Sequence, residues 1–93
     1  MAKEVIKKDG TKEPFDAGKI RNSIAAAAQR TDLSEERQNE IVEEVAAIVI
    51  GTAEGKEEIA TSEIREKILD ELDSIEPAIS EAWRKYDQEK KRA

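Results

Sequence analysis

Two residue types that supply much of protein chemistry are missing from this 93-residue chain, which contains no cysteine and no histidine. The absence of cysteine excludes a disulfide framework, a thiolate zinc site and a cysteine nucleophile. The absence of histidine removes the most common general base and the most common metal ligand at neutral pH. A phosphate-binding G-x-x-x-x-G-K-[ST] run is also missing. An enzyme is therefore the least favoured class, and we expect neither catalytic residues nor a protein-bound metal.

Long apolar runs are missing as well. No segment approaches the ~18 apolar residues that a membrane-spanning helix needs, and the opening MAKEVIKKDG lacks the apolar core of a secretory signal. We therefore expect a cytoplasmic protein that does not enter the membrane. The length corresponds to a single domain, placed at residues 1–93, with a charged tail at residues 88–93 that is expected to fray.

Charge is abundant and unevenly distributed. The net charge is −6, yet residues 1–30 hold seven basic and four acidic side chains, whereas the remaining 63 residues hold nine basic and eighteen acidic ones. An acidic chain is a poor candidate for wrapping duplex nucleic acid, which requires many phosphate contacts. Its locally basic first third can still bind one compact polyanion.

The pattern of the first fifteen residues predicts a β-hairpin. Two short extended runs, residues 5–8 and 12–15, flank the pair Asp9-Gly10, and such a pair favours a tight turn because its centre requires positive φ. Either of the first two residues of the first strand, Val5 or Ile6, can face the core, and the alternation leaves both open. The second strand contains Pro14, which cannot donate to a ladder, so we expect it at an edge.

Four helical patterns follow the hairpin, because apolar residues recur at helical spacing. The predicted helices cover residues 17–29, 35–50, 63–72 and 77–90, with a short third strand at residues 57–60. The expected caps are Asp16 and Ser34 at N-termini, Gly51 at a C-terminus, and Thr61-Ser62 before the third helix. In the last helix, Ile79, Trp83 and Tyr86 share one apolar face. The predicted fold class is α+β, with a small three-stranded sheet packed on a four-helix bundle.

Basic residues lie near two predicted helix N-termini, where they oppose the helix dipole. Lys19 lies in the first turn after Asp16, and Arg65 follows Thr61 in the same way. A cation in this position costs a few tenths of a kcal/mol, and it also fits an anion bound at the free N–H groups. The alternatives are a solvated Lys19 and an exposed Arg65 paired with a neighbouring glutamate, either Glu58 or Glu66.

The lysines of the first strand, like Lys19 and Arg65, permit two interpretations. Lys7 and Lys8 are either ordinary charges that block edge pairing or part of the same anion site. Because choices that break local rules tend to cluster at functional sites, we predict that Lys7, Lys19 and Arg65 converge on one pocket.

The stretch VIKKDGTKEPFDAGKI resembles the opening of the ATP-cone. That family is a regulatory nucleotide-binding domain of many ribonucleotide reductases and of the transcriptional repressor of reductase genes. Its pattern is V-x-K-R-[DN]-G followed by F-[DN]-x-x-K-I, matched here by Val5, Lys7, Asp9, Gly10, Phe15, Asp16, Lys19 and Ile20. Two later stretches are more weakly similar to family motifs. Thr61, Ser62 and Ile64 resemble the family's T-S-x-x-I, and residues 82–86 resemble its A-Y-x-x-Y. The resemblance covers essentially the whole chain.

The resemblance implies a small three-stranded sheet over four helices, and binding of ATP or dATP, usually with Mg²⁺. By position, Val5 and Ile20 would line the adenine site, and Glu13 and Asp16 would lie near the base or ribose. The implied phosphate contacts are Lys7, Lys8 and Lys19, with Thr61 and Arg65 at the far side. Lysine replaces the family's arginine at Lys8, and because lysine lacks the planar fork of arginine, weaker or less selective binding is expected.

Two functional hypotheses follow from these observations. The first is a stand-alone ATP-cone-like regulatory module that binds ATP or dATP and transmits nucleotide state to a partner, such as ribonucleotide reductase or its gene regulation, with homo-oligomers as a further expectation. The alternative is a protein-interaction domain that retains the fold without nucleotide binding.

Overall fold

The computed structural model describes residues 4–92, with side chains described for residues 4–89. Its elements in chain order are β1 (Glu4–Ile6), β2 (Lys12–Pro14), α1 (Ala17–Ala28), α2 (Glu35–Glu54), β3 (Glu58–Ala60), α3 (Thr61–Ile75) and α4 (Pro77–Arg92). The sheet order is β2-β1-β3, antiparallel between β1 and β2 and parallel between β1 and β3. The predicted α+β fold is confirmed. None of the described helices is both long and apolar enough to cross a membrane.

The predicted hairpin is present, with each strand slightly shorter than expected and β2 at the sheet edge. Gly10 has φ of +87°, as the turn requires. Asp9 Oδ1 accepts hydrogen bonds from the backbone N–H of Thr11 at 3.0 Å and from its hydroxyl at 2.6 Å. These bonds, the hydroxyl first, lower the pKa of Asp9. The turn is therefore built by local side-chain hydrogen bonding as well as by glycine.

The core has two parts. A larger one lies between the helices and contains Ile24, Ile41 and Leu72, all fully buried. A smaller one lies under the sheet and contains Val5, Ala53 and Ile59, so that Val5, not Ile6, is the inward residue of β1. Phe15 and Ile64 pack against both parts. These two side chains join the sheet to the helical layer.

The predicted end of α2 at Gly51 is wrong. The helix continues to Glu54, and its C-cap Gly55 has an ordinary φ of −79°. An interior glycine costs a helix only ~1 kcal/mol, and the extra turn fully buries Ala53 beneath the sheet. Tertiary packing therefore outweighs the local stop signal.

The predicted start of α3 is also wrong. The helix begins at Thr61 directly from β3, and its N-cap Ala60 has no side-chain cap hydrogen bond. The Thr61 hydroxyl instead donates to the carbonyl of Ile6 at 3.1 Å, tying α3 to the end of β1. Because α3 begins two residues earlier than predicted, Arg65 lies in its second turn and not in its first. At the other end α3 extends to Ile75, three residues beyond the prediction.

The last helix begins at Pro77 as predicted and continues to Arg92. Its inward face differs from the prediction at two positions. Tyr86 is 48% exposed and does not join the core, whereas Ser80 is only 1% exposed. Residue 93, part of the tail expected to fray, lies outside the described residues, and the fraying stays a prediction.

Candidate functional site

A cavity of about 240 Å³ opens between the hairpin, α1, α3 and α4. It is lined by seven of the nine predicted site residues: Val5, Glu13, Asp16, Lys19, Ile20, Thr61 and Arg65. The other two, Lys7 and Lys8, do not line it. A second cavity of about 530 Å³ between α1 and α4 shares the lining residues Ser23, Trp83 and Asp87 with the first. The two therefore adjoin along α4.

The pairing of β1 with β2 explains why a carboxylate lies in this cavity. Val5 is paired directly with Glu13, and paired residues project from the same face of a sheet. Val5 is buried on the inner face, so Glu13 faces inward as well and is half-buried. The hairpin therefore contributes one apolar and one acidic side chain to the cavity.

Glu13 lies between two lysines. Its Oε2 atom is 3.2 Å from Lys7 Nζ and 3.8 Å from Lys19 Nζ. Lys7 follows β1 directly, two positions after Val5, so the alternation of the strand directs it toward the same face. This contact holds Lys7 beside the cavity although it does not line it. Lys8 is exposed in the turn.

Arg65 forms an ion pair with Asp87 of α4. This is neither of the partners that the sequence suggested, Glu58 and Glu66. Both members of the pair line the cavity. Of the three residues predicted to converge, Lys19 and Arg65 thus line one cavity, and Lys7 is linked to it through Glu13.

The two helices that begin at the cavity differ at their N-termini. Asp16 Oδ1 accepts a hydrogen bond from Gly18 N–H at 2.9 Å, so α1 is capped as predicted. The start of α3 has no side-chain cap hydrogen bond, and Thr61 at this end lines the cavity. N–H groups without a partner in the helix, together with the positive end of the helix dipole, favour an anion.

Several cavity residues were not assigned to the site from the sequence. They are Pro14, Phe15, Ser23, Ile64, Ile68, Trp83 and Asp87. Phe15, Ile64 and Trp83 occur in the matched or similar family motifs, which could have indicated them. Asp87 had no local signal, because only the antiparallel packing of α3 and α4 brings it to Arg65. Within residues 4–89, no group of three or more carboxylates is arranged to hold a metal ion.

Comparison with known proteins identifies the family. The profile of the ATP cone domain matches residues 3–92. This chain belongs to the ATP-cone family. The resemblance noted in the opening motif is therefore confirmed over nearly the entire length of the chain.

Curated relatives of this ATP-cone chain include transcriptional repressors NrdR. The protein of that name from Lactobacillus delbrueckii subsp. bulgaricus is 40% identical over 72 residues, which cover 77% of this chain and 45% of the relative. The one from Caldicellulosiruptor bescii is 39% identical over 72 residues, which cover 77% of this chain and 46% of the relative. The one from Syntrophus aciditrophicus is 41% identical over 78 residues, which cover 81% of this chain and 48% of the relative. The matched region thus spans just under half the length of these relatives.

Proposed function

We propose that this ATP-cone domain binds ATP or dATP in the cavity between the hairpin, α1, α3 and α4, and that occupancy regulates a protein partner. One observation supports the proposal most strongly. Lys19 from α1, Arg65 from α3 and the uncapped start of α3 surround the same cavity. Cationic side chains combined with free helix N–H groups are a general solution to phosphate binding.

The apolar and acidic parts of the cavity suit the rest of the nucleotide. Val5 and Ile20 offer an apolar surface for adenine, and Phe15 lies beside them. Glu13 and Asp16 offer carboxylate oxygens, which accept hydrogen bonds from ribose hydroxyls. ATP and dATP differ only in one such hydroxyl, so these two carboxylates are the groups we propose for telling them apart.

Phosphates would be contacted by Lys19, Arg65 and the N–H groups at Thr61, with Lys7 and Lys8 approaching from the hairpin turn. Mg²⁺ accompanying the nucleotide would be held by phosphate oxygens and water, which is its usual mode with nucleotide ligands.

The kinship with NrdR repressors supports a regulatory role for this domain. We propose that the domain transmits nucleotide state to ribonucleotide reductase or to the regulation of its genes, acting in the cytoplasm and forming homo-oligomers. The alternative, an interaction domain without nucleotide binding, predicts a partner that is captured equally well with and without ATP.

Isothermal titration of the purified chain with ATP, dATP and GTP, each with and without Mg²⁺, tests the proposal. We expect saturable binding of ATP and dATP. Trp83, the single tryptophan of the chain, lines the cavity, so its fluorescence provides a second readout. The absence of both a heat signal and a thermal shift at millimolar nucleotide would exclude the proposal.

Lys19→Glu is expected to weaken ATP binding at least tenfold, which corresponds to about 1.4 kcal/mol, because it replaces a cation facing the phosphates with an anion. Lys7→Glu is expected to do the same through its contact with Glu13. Lys12→Glu is the matched control, since Lys12 lies on β2, pairs with Glu58 and does not line the cavity. Circular dichroism verifies the fold. Equal affinities for Lys19→Glu and Lys12→Glu would move the site elsewhere.

A further inference from the structure

The cations that line the cavity are already paired with carboxylates. Lys19 Nζ is 3.8 Å from Glu13 Oε2, and Arg65 forms its ion pair with Asp87. The cavity lining contains two cations and three carboxylates, the third being the capping residue Asp16. The cavity is therefore not an open positive pocket. An incoming polyanion has to replace protein carboxylates at the cations that it contacts.

Replacement is chemically reasonable at Arg65. A guanidinium binds carboxylate and phosphate with the same planar, charge-assisted geometry. A triphosphate has more charge than a carboxylate and several oxygens to offer. The Arg65–Asp87 pair is partly open to solvent, with side chains 39% and 23% exposed, so its two members can separate without opening the core.

Separation would have a mechanical consequence because the pair joins two helices. The first half of α4 is anchored independently of it, by Ile79 and Ser80 in the core and by two hydrogen bonds from Arg84 to Asp73. The second half is anchored differently. There Asp87 pairs with Arg65 of α3, and Arg30, in the turn after α1, contacts Glu89 at 2.9 Å.

Arg30 also lies over the ring of Tyr86, at 5.0 Å from its centroid. Both contacts of Arg30 therefore tie the second half of α4 to the turn that follows α1, and not to α3. Once Arg65 binds phosphate, the link from the second half of α4 to α3 is lost, and Asp87 is left close to a negatively charged ligand. Both effects drive this part of α4 away from the cavity.

We propose that Asp87 competes with a nucleotide phosphate for Arg65, and that its displacement loosens the part of α4 from Tyr86 onward from α3. The inference rests on the proposed function and adds the route by which occupancy reaches the molecular surface. Asp87 is thereby a residue that lowers phosphate affinity and couples binding to helix movement. Removing its charge tightens binding and uncouples the helix.

Titration of ATP into the wild-type chain and the Asp87→Asn variant tests the first part. Asp87→Asn is expected to bind ATP about two- to fivefold more tightly, the range that a partly exposed ion pair can account for. Inorganic triphosphate is expected to show the same ratio, because the competition concerns phosphate and not the base. Glu81→Gln removes the same charge from the first half of the same helix, outside the cavity lining, and its affinity should match the wild type.

Amide hydrogen exchange tests the second part. In the wild type, ATP is expected to speed exchange in α4 from Tyr86 onward while slowing it around the hairpin. In Asp87→Asn, this segment of α4 is expected to exchange faster before any ligand is added, and ATP should add little.

The outcomes separate the inference from the function on which it rests. If the wild type binds no nucleotide, both are overturned. If the wild type binds but Asp87→Asn binds equally or more weakly, the inference alone is overturned. Weakening seen only with Mg²⁺ also overturns it, since Asp87 would then be assisting the metal. An Asp87→Ser variant repeats the measurement should Asp87→Asn fail to fold.

Discussion

Asp73 accepts three hydrogen bonds at the junction between α3 and α4. The Ser80 hydroxyl donates to its Oδ1 at 2.5 Å, and Arg84 donates to Oδ1 and Oδ2 at 2.9 and 2.8 Å. Ser80 is buried, and its hydroxyl also lies 3.0 Å from the carbonyl of Pro77. Arg84 first, and then Ser80, lower the pKa of Asp73 to about 2. One carboxylate thus satisfies a buried hydroxyl and fixes the corner between two helices.

The low pKa of Asp73 predicts a defined pH dependence of stability. The folded-state pKa of Asp73 lies below the ordinary aspartate value of 3.8, so the carboxylate stabilises the fold above pH ~4 and loses this contribution as the pH falls through ~2. Asp73→Asn is therefore expected to lower the thermal midpoint at pH 7, and the difference from the wild type should shrink from pH 4 downward and vanish below pH ~2. Calorimetric scans across this range provide the measurement. A pH-independent difference would show that the charge of Asp73 is not the cause.

At the scale of single elements, two exposed glycines have opposite roles. Gly51 lies inside α2, and a Cβ built there contacts nothing within 4 Å. Gly10 has the same free space, but its φ of +87° disfavours any residue with a Cβ. The first glycine only weakens its helix, and the second is required by its turn.

Alanine at each of the two positions tests this contrast. Gly51→Ala is expected to raise the free energy of unfolding by roughly 0.5–1 kcal/mol, because alanine loses less backbone freedom on folding. Gly10→Ala is expected to lower it by about 1 kcal/mol or more, because the turn forces alanine into a strained conformation. Urea unfolding of the two variants measures both. Destabilisation by Gly51→Ala would indicate that α2 needs its glycine for close approach to something outside the chain.

At the scale of the whole molecule, the sheet and the helical layer form one packed unit around the cavity. Phe15 and Ile64 contact both parts of the core and also line the cavity. The cavity is therefore framed by the contacts that join the two layers. Ligand binding should stabilise the molecule as a unit.

Leu72→Ala is expected to lower the free energy of unfolding by about 2–5 kcal/mol, since the side chain is fully buried. Leu72 does not line the cavity, so ATP at a hundredfold excess over Kd is expected to add about 2.7 kcal/mol to the free energy of unfolding, the same increment that the proposed binding predicts for the wild type. Lys19→Glu serves as the contrasting variant. It is expected to lose little stability without ligand, but ATP should raise its free energy of unfolding much less than that of the wild type. A lost ATP increment in Leu72→Ala would mean that the core and the site are coupled.

The local features were predictable from the sequence because they depend on residues within about four positions of one another. The hairpin turn at Asp9-Gly10, the cap at Asp16 and the apolar stripes of the helices are of this kind. The motif of the first twenty residues was likewise sufficient to indicate the family. Seven of the predicted site residues line one cavity, although their roles as ligand contacts stay predictions.

What depended on distant contacts was not predictable. The extension of α2 beyond Gly51 required a sheet above Ala53, and the early start of α3 required the carbonyl of Ile6 as a partner for Thr61. The pairing of Arg65 with Asp87 required two helices to pack side by side, across twenty-two positions of sequence. The sequence by itself determined the elements and the residue types offered to an anion. Only the tertiary structure decided which carboxylates hold those cations, because ion pairing follows distance in space and not spacing along the chain.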